Sequence, residues 1–258
     1  AGAAAAGWRD ELQLFVSMAL WGNKMDLSLW PVDLNAGSSN IKEAFAKIMA
    51  QGTEKLLADN SEELLDFICS KETLARVDVV VDNAGFELFT DLCLAHTLLA
   101  AGAARKIVFQ LKAHPTFVSD AREADMLWMI KTLSGLNKDQ YPACQAIGEV
   151  WQGLVASGRW ELREDFFWCQ PNPFWEMPDS LRNDLSENSS LVFVKGDANY
   201  RRLLGDRHWP LDTPFSDVCN YFPTKVCALR TLKGEVGCGL PAARVAALRA
   251  AEAVVRAE

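Results

Sequence analysis

Residues 77–91 constrain the fold of this chain more than any other stretch. They open with Val-Asp-Val-Val-Val, pass through Asp82, Asn83 and Gly85, and continue into a largely apolar segment from Phe86. A β-branched run that ends in polar residues and a glycine turn before a helix is typical of a buried parallel strand. The stretch therefore predicts an α/β fold. It also predicts that Asp82 and Asn83 lie at the ligand-binding edge of the sheet, although ordinary turn chemistry explains the same two residues.

The rest of the chain alternates between helical and strand-like patterns. Further strands are predicted at 106–111, 191–194 and 225–229, and helices at 8–20, 41–50, 60–69, 86–101, 121–133, 142–155 and from Pro241. A Gly-Asn pair at 22–23 predicts the end of the first helix, and residues 34–40 predict a polar linker. The aromatic, proline-interrupted residues 160–178 predict an ordered surface loop or a lid-like loop, and the alternative interpretation is a segment that covers one face of the sheet.

Polar residues follow each of the four predicted strands. Besides Asp82 and Asn83 they are Asp120, the segment from Asp197 to Arg201, and Arg230 with Lys233. Parallel strands place their carboxyl ends on one edge of a sheet, so these side chains are expected to meet there. Oxygen ligands for a hard divalent cation beside arginine and lysine would suit a phosphoryl group. Each residue also has a simpler interpretation, such as a helix N-cap for Asp120 or a turn for Asp197 and Asn199.

Composition and charge exclude some kinds of partner and indicate the redox state of the compartment. The net charge of −8 comes with no basic stripe, which argues against nucleic acid or an anionic membrane as a partner. No run is long and apolar enough to span a bilayer, and residues 1–7 lack the pattern of a signal peptide. Seven scattered cysteines without a Cys-x-x-Cys pair indicate the cytoplasm or another reducing compartment.

Several motifs, in their order along the chain, carry a resemblance to a known family. They are Leu-Trp-Gly-Asn-Lys-Met-Asp-Leu-Ser (20–28), Val-Asp-Asn-Ala-Gly-Phe-Glu-Leu (81–88), Phe-Val-Ser-Asp (117–120), Lys-Gly-Asp-Ala-Asn-Tyr-Arg (195–201) and Arg-Thr-Leu-Lys (230–233). Together they resemble subfamily III of the damage-control phosphatases, the sugar-phosphate phosphatases also called acidic residue methyltransferase-like. The resemblance covers residues 8 to 240.

That resemblance implies a three-layer α/β/α sandwich with a mainly parallel, Rossmann-like sheet. It implies a phosphatase that uses Mn²⁺ or Mg²⁺, or Co²⁺ or Ni²⁺, on small phosphorylated metabolites such as fructose 1-phosphate or fructose 6-phosphate. The implied metal-binding and catalytic residues are Asp82, Asn83 and Asp120. The implied substrate-binding residues are Glu87, Asp197, Asn199, Tyr200, Arg201 and Lys233.

The family also implies a sizeable helical region ahead of residue 20, of which this sequence carries only a part. We therefore expect a helical segment at 1–70, the remnant of that region, and an α/β phosphatase domain at 71–258. Two alternatives stay open. One is a catalytically silent subunit of a larger assembly, with a protein partner. The other is an S-adenosylmethionine-dependent carboxyl methyltransferase, for which no glycine-rich loop is visible.

Overall fold

The computed structural model describes residues 2–29, 52, 55–69 and 72–255. The predicted linker at 34–40 and helix at 41–50 lie outside them. Five strands form one sheet: β1 (Val77–Val80), β2 (Ile107–Lys112), β3 (Trp160–Asp165), β4 (Leu191–Lys195) and β5 (Val226–Leu229). Their order is β3-β2-β1-β4-β5, and every neighbouring pair is parallel. Val77 in the central strand pairs with Ile107 on one side and with Leu191 on the other.

Helices connect and cover these strands. They are α1 (Gly2–Leu29), α2 (Ser61–Ile68), α3 (Phe86–Ala100), α4 (Glu123–Ser134), α5 (Pro142–Ala156), α6 (Asp179–Asn188), α7 (Asp197–Leu203), α8 (Phe215–Val218) and α9 (Ala242–Val255). Short 3₁₀ helices lie at Phe166–Cys169 and Phe174–Glu176. Every residue of β1, β2 and β4 is buried, as expected for strands covered on both faces.

Two apolar cores lie on opposite faces of the sheet, because side chains alternate along each strand. Val79 belongs to the core formed with α1 to α5, whereas Val80 belongs to the core formed with the 3₁₀ helices, α6 and α7. The predicted three-layer α/β/α arrangement is therefore confirmed.

The N-terminal helices share the first of these cores. Leu12 and Val16 of α1, with Leu65 of α2, are buried in the same cluster as the strand residue Val79. The division into a helical segment at 1–70 and an α/β domain at 71–258 stays a prediction. No helix in the described part of the chain has the length and apolarity to cross a membrane.

The predicted break at Gly22 and Asn23 is wrong, because α1 continues without interruption to Leu29. Gly22 instead lies where α1 crosses α3. A Cβ at Gly22 would lie 2.5 Å from the Thr90 Oγ1 and 3.1 Å from the Glu87 Cα. The glycine is needed for close helix packing rather than for a turn.

The predicted loop at 160–178 is also partly wrong, because its first residues form the edge strand β3. The charged sequence Glu-Leu-Arg-Glu-Asp is only partly buried there, so it lacks the apolar signature of a central strand. The aromatic residues that follow do cover one face of the sheet, since Phe167, Trp168 and Phe174 are buried in the second core.

Candidate active site

The strand order places a topological switch point between β1 and β4. From β1 the chain moves outward through β2 to β3, and then returns to the other side of β1 to form β4 and β5. Ligands of open parallel sheets bind in the crevice beyond such a point, at the carboxyl ends of the strands. Asp82 and Asn83 follow β1, and Gly196 and Asp197 follow β4, so these residues border that crevice.

Lys112, the last residue of β2, links two of the predicted site residues. Its ammonium lies 3.0 Å from the Asp82 Oδ1, 3.1 Å from the Asp82 backbone oxygen and 2.5 Å from the Asp120 Oδ1. All three residues are buried. Burial raises the pKa of Asp82 above its ordinary value, while the Lys112 ammonium acts in the opposite direction. Burial alone would lower the pKa of Lys112, but the two carboxylates outweigh it and raise that pKa.

Asp120 belongs to this cluster and does not cap a helix. Helix α4 begins at Glu123, and Arg122 is its N-cap residue. The second carboxylate oxygen of Asp120 accepts hydrogen bonds of 2.8 Å from the backbone N–H groups of Thr116 and Phe117. The N-cap interpretation is wrong because the loop after β2 folds back on itself and turns Asp120 inward.

Asn83 is positioned by its side-chain amide. The Asn83 Nδ2 donates to the Asp82 Oδ2 and to the Glu87 Oε2, both at 2.8 Å, and its Oδ1 accepts from the Ser119 hydroxyl at 2.7 Å. An isolated bridge between Asn83 and Asp120 joins the loops that follow β1 and β2. Asp82, Asn83 and Asp120 therefore converge, as the sequence predicts.

Glu87, in the first turn of α3, connects the site to a deeper charged pair. Lys195 is fully buried and lies 2.6 Å from the Asp91 Oδ1 and 3.5 Å from the Glu87 Oε1. Burial raises the pKa of Asp91 to about 7. Burial by itself would lower the pKa of Lys195, but the carboxylates of Asp91 and Glu87 raise it overall. Neither residue has a predicted role in the site, because Asp91 lies inside α3 and Lys195 is the last residue of β4, before the polar segment from Asp197.

A second cluster forms around Asp197, at the start of α7. The Asp197 Oδ1 accepts from the Arg230 Nε at 2.7 Å and from the backbone N–H groups of Lys233 and Gly234 at 3.1 and 3.3 Å. These contacts fix the loop after β5 against α7. The Lys233 side chain is exposed at this edge of the sheet, and no described residue pairs with its ammonium.

The other predicted substrate residues on α7 point in different directions. The Asn199 amide donates to the backbone oxygen of Lys195 at 2.9 Å. Tyr200 is buried, and the Cζ of the Arg230 guanidinium lies over its ring, 4.3 Å from the ring centroid. Arg201 is exposed and pairs with Asp206 through two hydrogen bonds of 2.7 and 2.8 Å.

Gly196 is required by the backbone between β4 and α7. Its φ of +86° lies in the region that side-chain-bearing residues avoid, and a Cβ there would overlap the carboxylate of Asp82. The absence of a side chain therefore leaves the space in which Asp82 sits.

The donor atoms at the β1 end are all oxygens. Two carboxylates and one amide oxygen, from Asp82, Asp120 and Asn83, suit a hard cation such as Mg²⁺ or Mn²⁺ better than Zn²⁺. Within the described residues no group of three or more His, Cys, Asp or Glu side chains is arranged to hold a metal ion. The candidate set has only two carboxylates, and its third oxygen donor is the amide of Asn83; by chemical type these are donors that a hard divalent cation takes. In this structure both carboxylates contact the Lys112 ammonium.

Comparison with known proteins identifies close relatives. The family model of the damage-control phosphatase ARMT1-like domain matches residues 3–248 of this sequence. Damage-control phosphatase ARMT1 of Mus musculus is 36% identical over 253 residues, and that of Bos taurus is 37% identical over 254 residues. Each match covers 95% of this chain and 56% of the relative, so the chain spans about half the length of these proteins.

Among solved structures, a DUF89 family protein from Pyrococcus horikoshii has a similar fold, with a TM-score of 0.50. The match covers 92% of this chain and 69% of the other, at 14% sequence identity. The likeness supports the α/β fold.

Proposed function

The chain belongs to the damage-control phosphatase ARMT1-like domain family, and from that membership we propose that it is a metal-dependent phosphatase of small phosphomonoesters. Sugar phosphates such as fructose 1-phosphate and fructose 6-phosphate are the proposed substrates. Family membership supports a phosphatase of metabolite damage control. The finer assignments rest on the residues gathered at the switch point.

Asp82, Asn83 and Asp120 are the proposed ligands of the cation, with Mn²⁺ or Mg²⁺ favoured and Co²⁺ or Ni²⁺ as alternatives. When bound, a divalent cation supplies charge neutralisation for phosphate oxygens and a lower pKa for bound water. The hydrogen bonds to Asp120 from Thr116 and Phe117 hold its carboxylate in place. The Ser119 hydroxyl orients the Asn83 amide so that its oxygen faces the loop after β2.

Arg201 and Lys233 are the proposed phosphate-binding cations. Both are exposed at the edge of the sheet where the candidate ligands lie, and Arg201 exchanges Asp206 for the phosphate in this scheme. A guanidinium grips phosphate through a planar fork and an ammonium through a point charge. Charge that develops on the phosphoryl oxygens would be stabilised by both.

The remaining assigned residues serve the same substrate site. Glu87 is the proposed contact for a sugar hydroxyl. Asp197 orients Arg230 and the backbone of Lys233, while Asn199 and Tyr200 fix α7, which carries Arg201. All seven cysteines are free thiols, which supports a reducing compartment such as the cytoplasm as the place of action.

The convergence of Asp82, Asn83 and Asp120 carries this proposal, and metal titration tests it. Calorimetric titration of metal-free protein with Mn²⁺ should show one site. In Asp120→Asn we expect at least tenfold weaker binding, about 1.4 kcal/mol, because one ligand charge is lost. The matched control is Asp125→Asn, in the first turn of α4. Equal Mn²⁺ affinity in wild type and Asp120→Asn would remove Asp120 from the ligand set, and no binding heat in wild type would overturn the metal assignment.

A further inference from the structure

Helix α1 reaches the active site, although it belongs to the segment predicted as a separate helical region. Its buried residues Leu12, Val16 and Ala19 pack into the core shared with α3. Gly22 then brings the two helices close enough that no Cβ fits between Gly22 and Thr90. The next residue, Asn23, is therefore held beside Glu87.

Two polar contacts tie α1 to the charged groups of the site. The Asn23 Nδ2 donates to the Glu87 Oε2 at 2.9 Å, the oxygen that also accepts from the Asn83 Nδ2. The Ala19 backbone oxygen accepts from the Lys195 ammonium at 2.5 Å. The carboxylate of Glu87 is thus held by side chains from α1, from the loop after β1 and from β4.

Asn23 keeps one polar group available. Its side chain is half-buried, and its Oδ1 makes no hydrogen bond with any residue in the part of the chain that the structure describes. The bond through Nδ2 fixes the amide, so this oxygen is an ordered acceptor next to Glu87. A fixed amide oxygen beside a carboxylate can accept hydrogen bonds from the hydroxyl groups of a polyol.

We propose that Asn23 is a specificity-determining residue whose Oδ1 accepts a hydrogen bond from a hydroxyl group of the phosphorylated substrate. The inference rests on the proposed phosphatase function and adds a contact from α1 to it. It defines the substrate class as phosphomonoesters that carry at least one free hydroxyl near the ester. A site built to hydrogen-bond a hydroxyl discriminates against analogues that lack it, because its polar groups are then left unpaired.

The test compares two substrates in the full chain. One is fructose 6-phosphate, which carries hydroxyl groups, and the other is phenyl phosphate, which has none. In Asn23→Ala we expect kcat/KM for the sugar phosphate to fall roughly 10- to 100-fold, mainly through KM, since the hydrogen bond from the substrate to a half-buried amide is lost. The same variant should hydrolyse phenyl phosphate within about twofold of the wild-type rate.

Gln13→Ala is the matched control, because it removes an amide from the exposed face of the same helix. It should leave both substrates unaffected. The Mn²⁺ affinity of Asn23→Ala should equal that of wild type, which separates a substrate contact from an effect on the candidate ligands.

Equal losses on both esters, weaker Mn²⁺ binding in Asn23→Ala, or no loss on either ester would overturn the assignment of Asn23. A wild-type protein that hydrolyses neither ester would instead overturn the proposed function, and with it the substrate contact. The two failures are therefore distinguished by the wild-type rates.

Discussion

At the scale of single residues, the buried carboxylates of Asp82 and Asp120 depend on Lys112 in the metal-free protein, because its ammonium contacts both of them. Lys112→Met keeps most of the side-chain volume but removes the charge. We expect a loss of roughly 3 kcal/mol in the free energy of unfolding of the metal-free protein, because two buried carboxylates lose their partner. Saturating Mn²⁺ should stabilise this variant more than wild type, since the cation replaces the missing positive charge. Thermal unfolding with and without Mn²⁺ measures both effects.

Lys131→Met, at an exposed position of α4, controls for the loss of a lysine charge as such. It should change neither the stability nor the response to Mn²⁺. The interpretation of Lys112 fails if its variant gains the same stabilisation from Mn²⁺ as wild type.

Gly196 permits a second comparison between residues. Gly196→Ala and Gly102→Ala both place a side chain on a backbone with positive φ, +86° and +70°. Only at Gly196 would the new Cβ meet Asp82, whereas nothing lies within 4 Å at Gly102. Gly102→Ala should lower the free energy of unfolding by about 1 kcal/mol through backbone strain. Gly196→Ala should lower it further, as measured by urea unfolding. It should also weaken Mn²⁺ binding, as measured by calorimetry. Equal effects of the two variants would contradict the steric role of Gly196.

The sequence predicts those site residues that follow an apolar run. Asp82 and Asn83 stand out because a buried strand ends just before them, and Asp120 because it follows the second predicted strand. Lys112 and Lys195 lie just beyond the predicted strands 106–111 and 191–194, and no pattern in the sequence indicates that their ammonium groups contact acidic side chains. No sequence pattern places Asn23 in the site, because only the packing of α1 against α3 brings it to Glu87.

At the scale of elements, a network of charges joins α6 to the sheet. The Arg76 guanidinium, just before β1, donates to Asp78 of β1 and to Asp184 of α6, and Arg163 of β3 also donates to Asp184. Hydrogen bonds from Arg76 are the main cause of a pKa for Asp184 below its ordinary value. A lowered pKa means that the folded state gains stability from Asp184 at neutral pH. That gain is lost as the pH falls below about 4, through the folded-state pKa.

Asp184→Asn should therefore lower the free energy of unfolding at pH 7 by about 1 kcal/mol, a modest value because the carboxylate is partly exposed. The difference from wild type should vanish well below pH 3. Urea unfolding at both pH values measures it, with Glu187→Gln on the exposed face of α6 as control. A difference that persists unchanged at low pH would show that the charge of Asp184 is not the cause.

Elements with strong apolar patterns are predicted well from the sequence, and those decided by tertiary packing are not. The central strands and α3 follow the predicted ranges within a residue or so, because burial on both faces demands continuous apolar runs. The edge strand β3 escapes prediction because its exposed side favours charged residues. The continuation of α1 through Gly22 reflects contact with α3, which outweighs the low helix propensity of glycine.

At the scale of the whole molecule, the order of the strands decides whether the predicted residues form one site. The sequence predicts polar residues after each strand but contains no direct signal for the order β3-β2-β1-β4-β5. That order brings the ends of β1 and β4 together at the switch point and places Lys112 of β2 between Asp82 and Asp120. Long-range packing thus turns a set of separate strand ends into the candidate site.

The most direct test of the account is phosphate release from a panel of sugar phosphates, including fructose 1-phosphate and fructose 6-phosphate. Wild type and Asp82→Ala are compared with and without Mn²⁺, Mg²⁺ or Co²⁺, after both are shown to be folded. We predict release by wild type only in the presence of a divalent cation, and its loss in Asp82→Ala. Phosphate release that does not depend on metal, or that persists in Asp82→Ala, would contradict the proposed site. No phosphate release by folded wild type with any of the metals would contradict the proposed function.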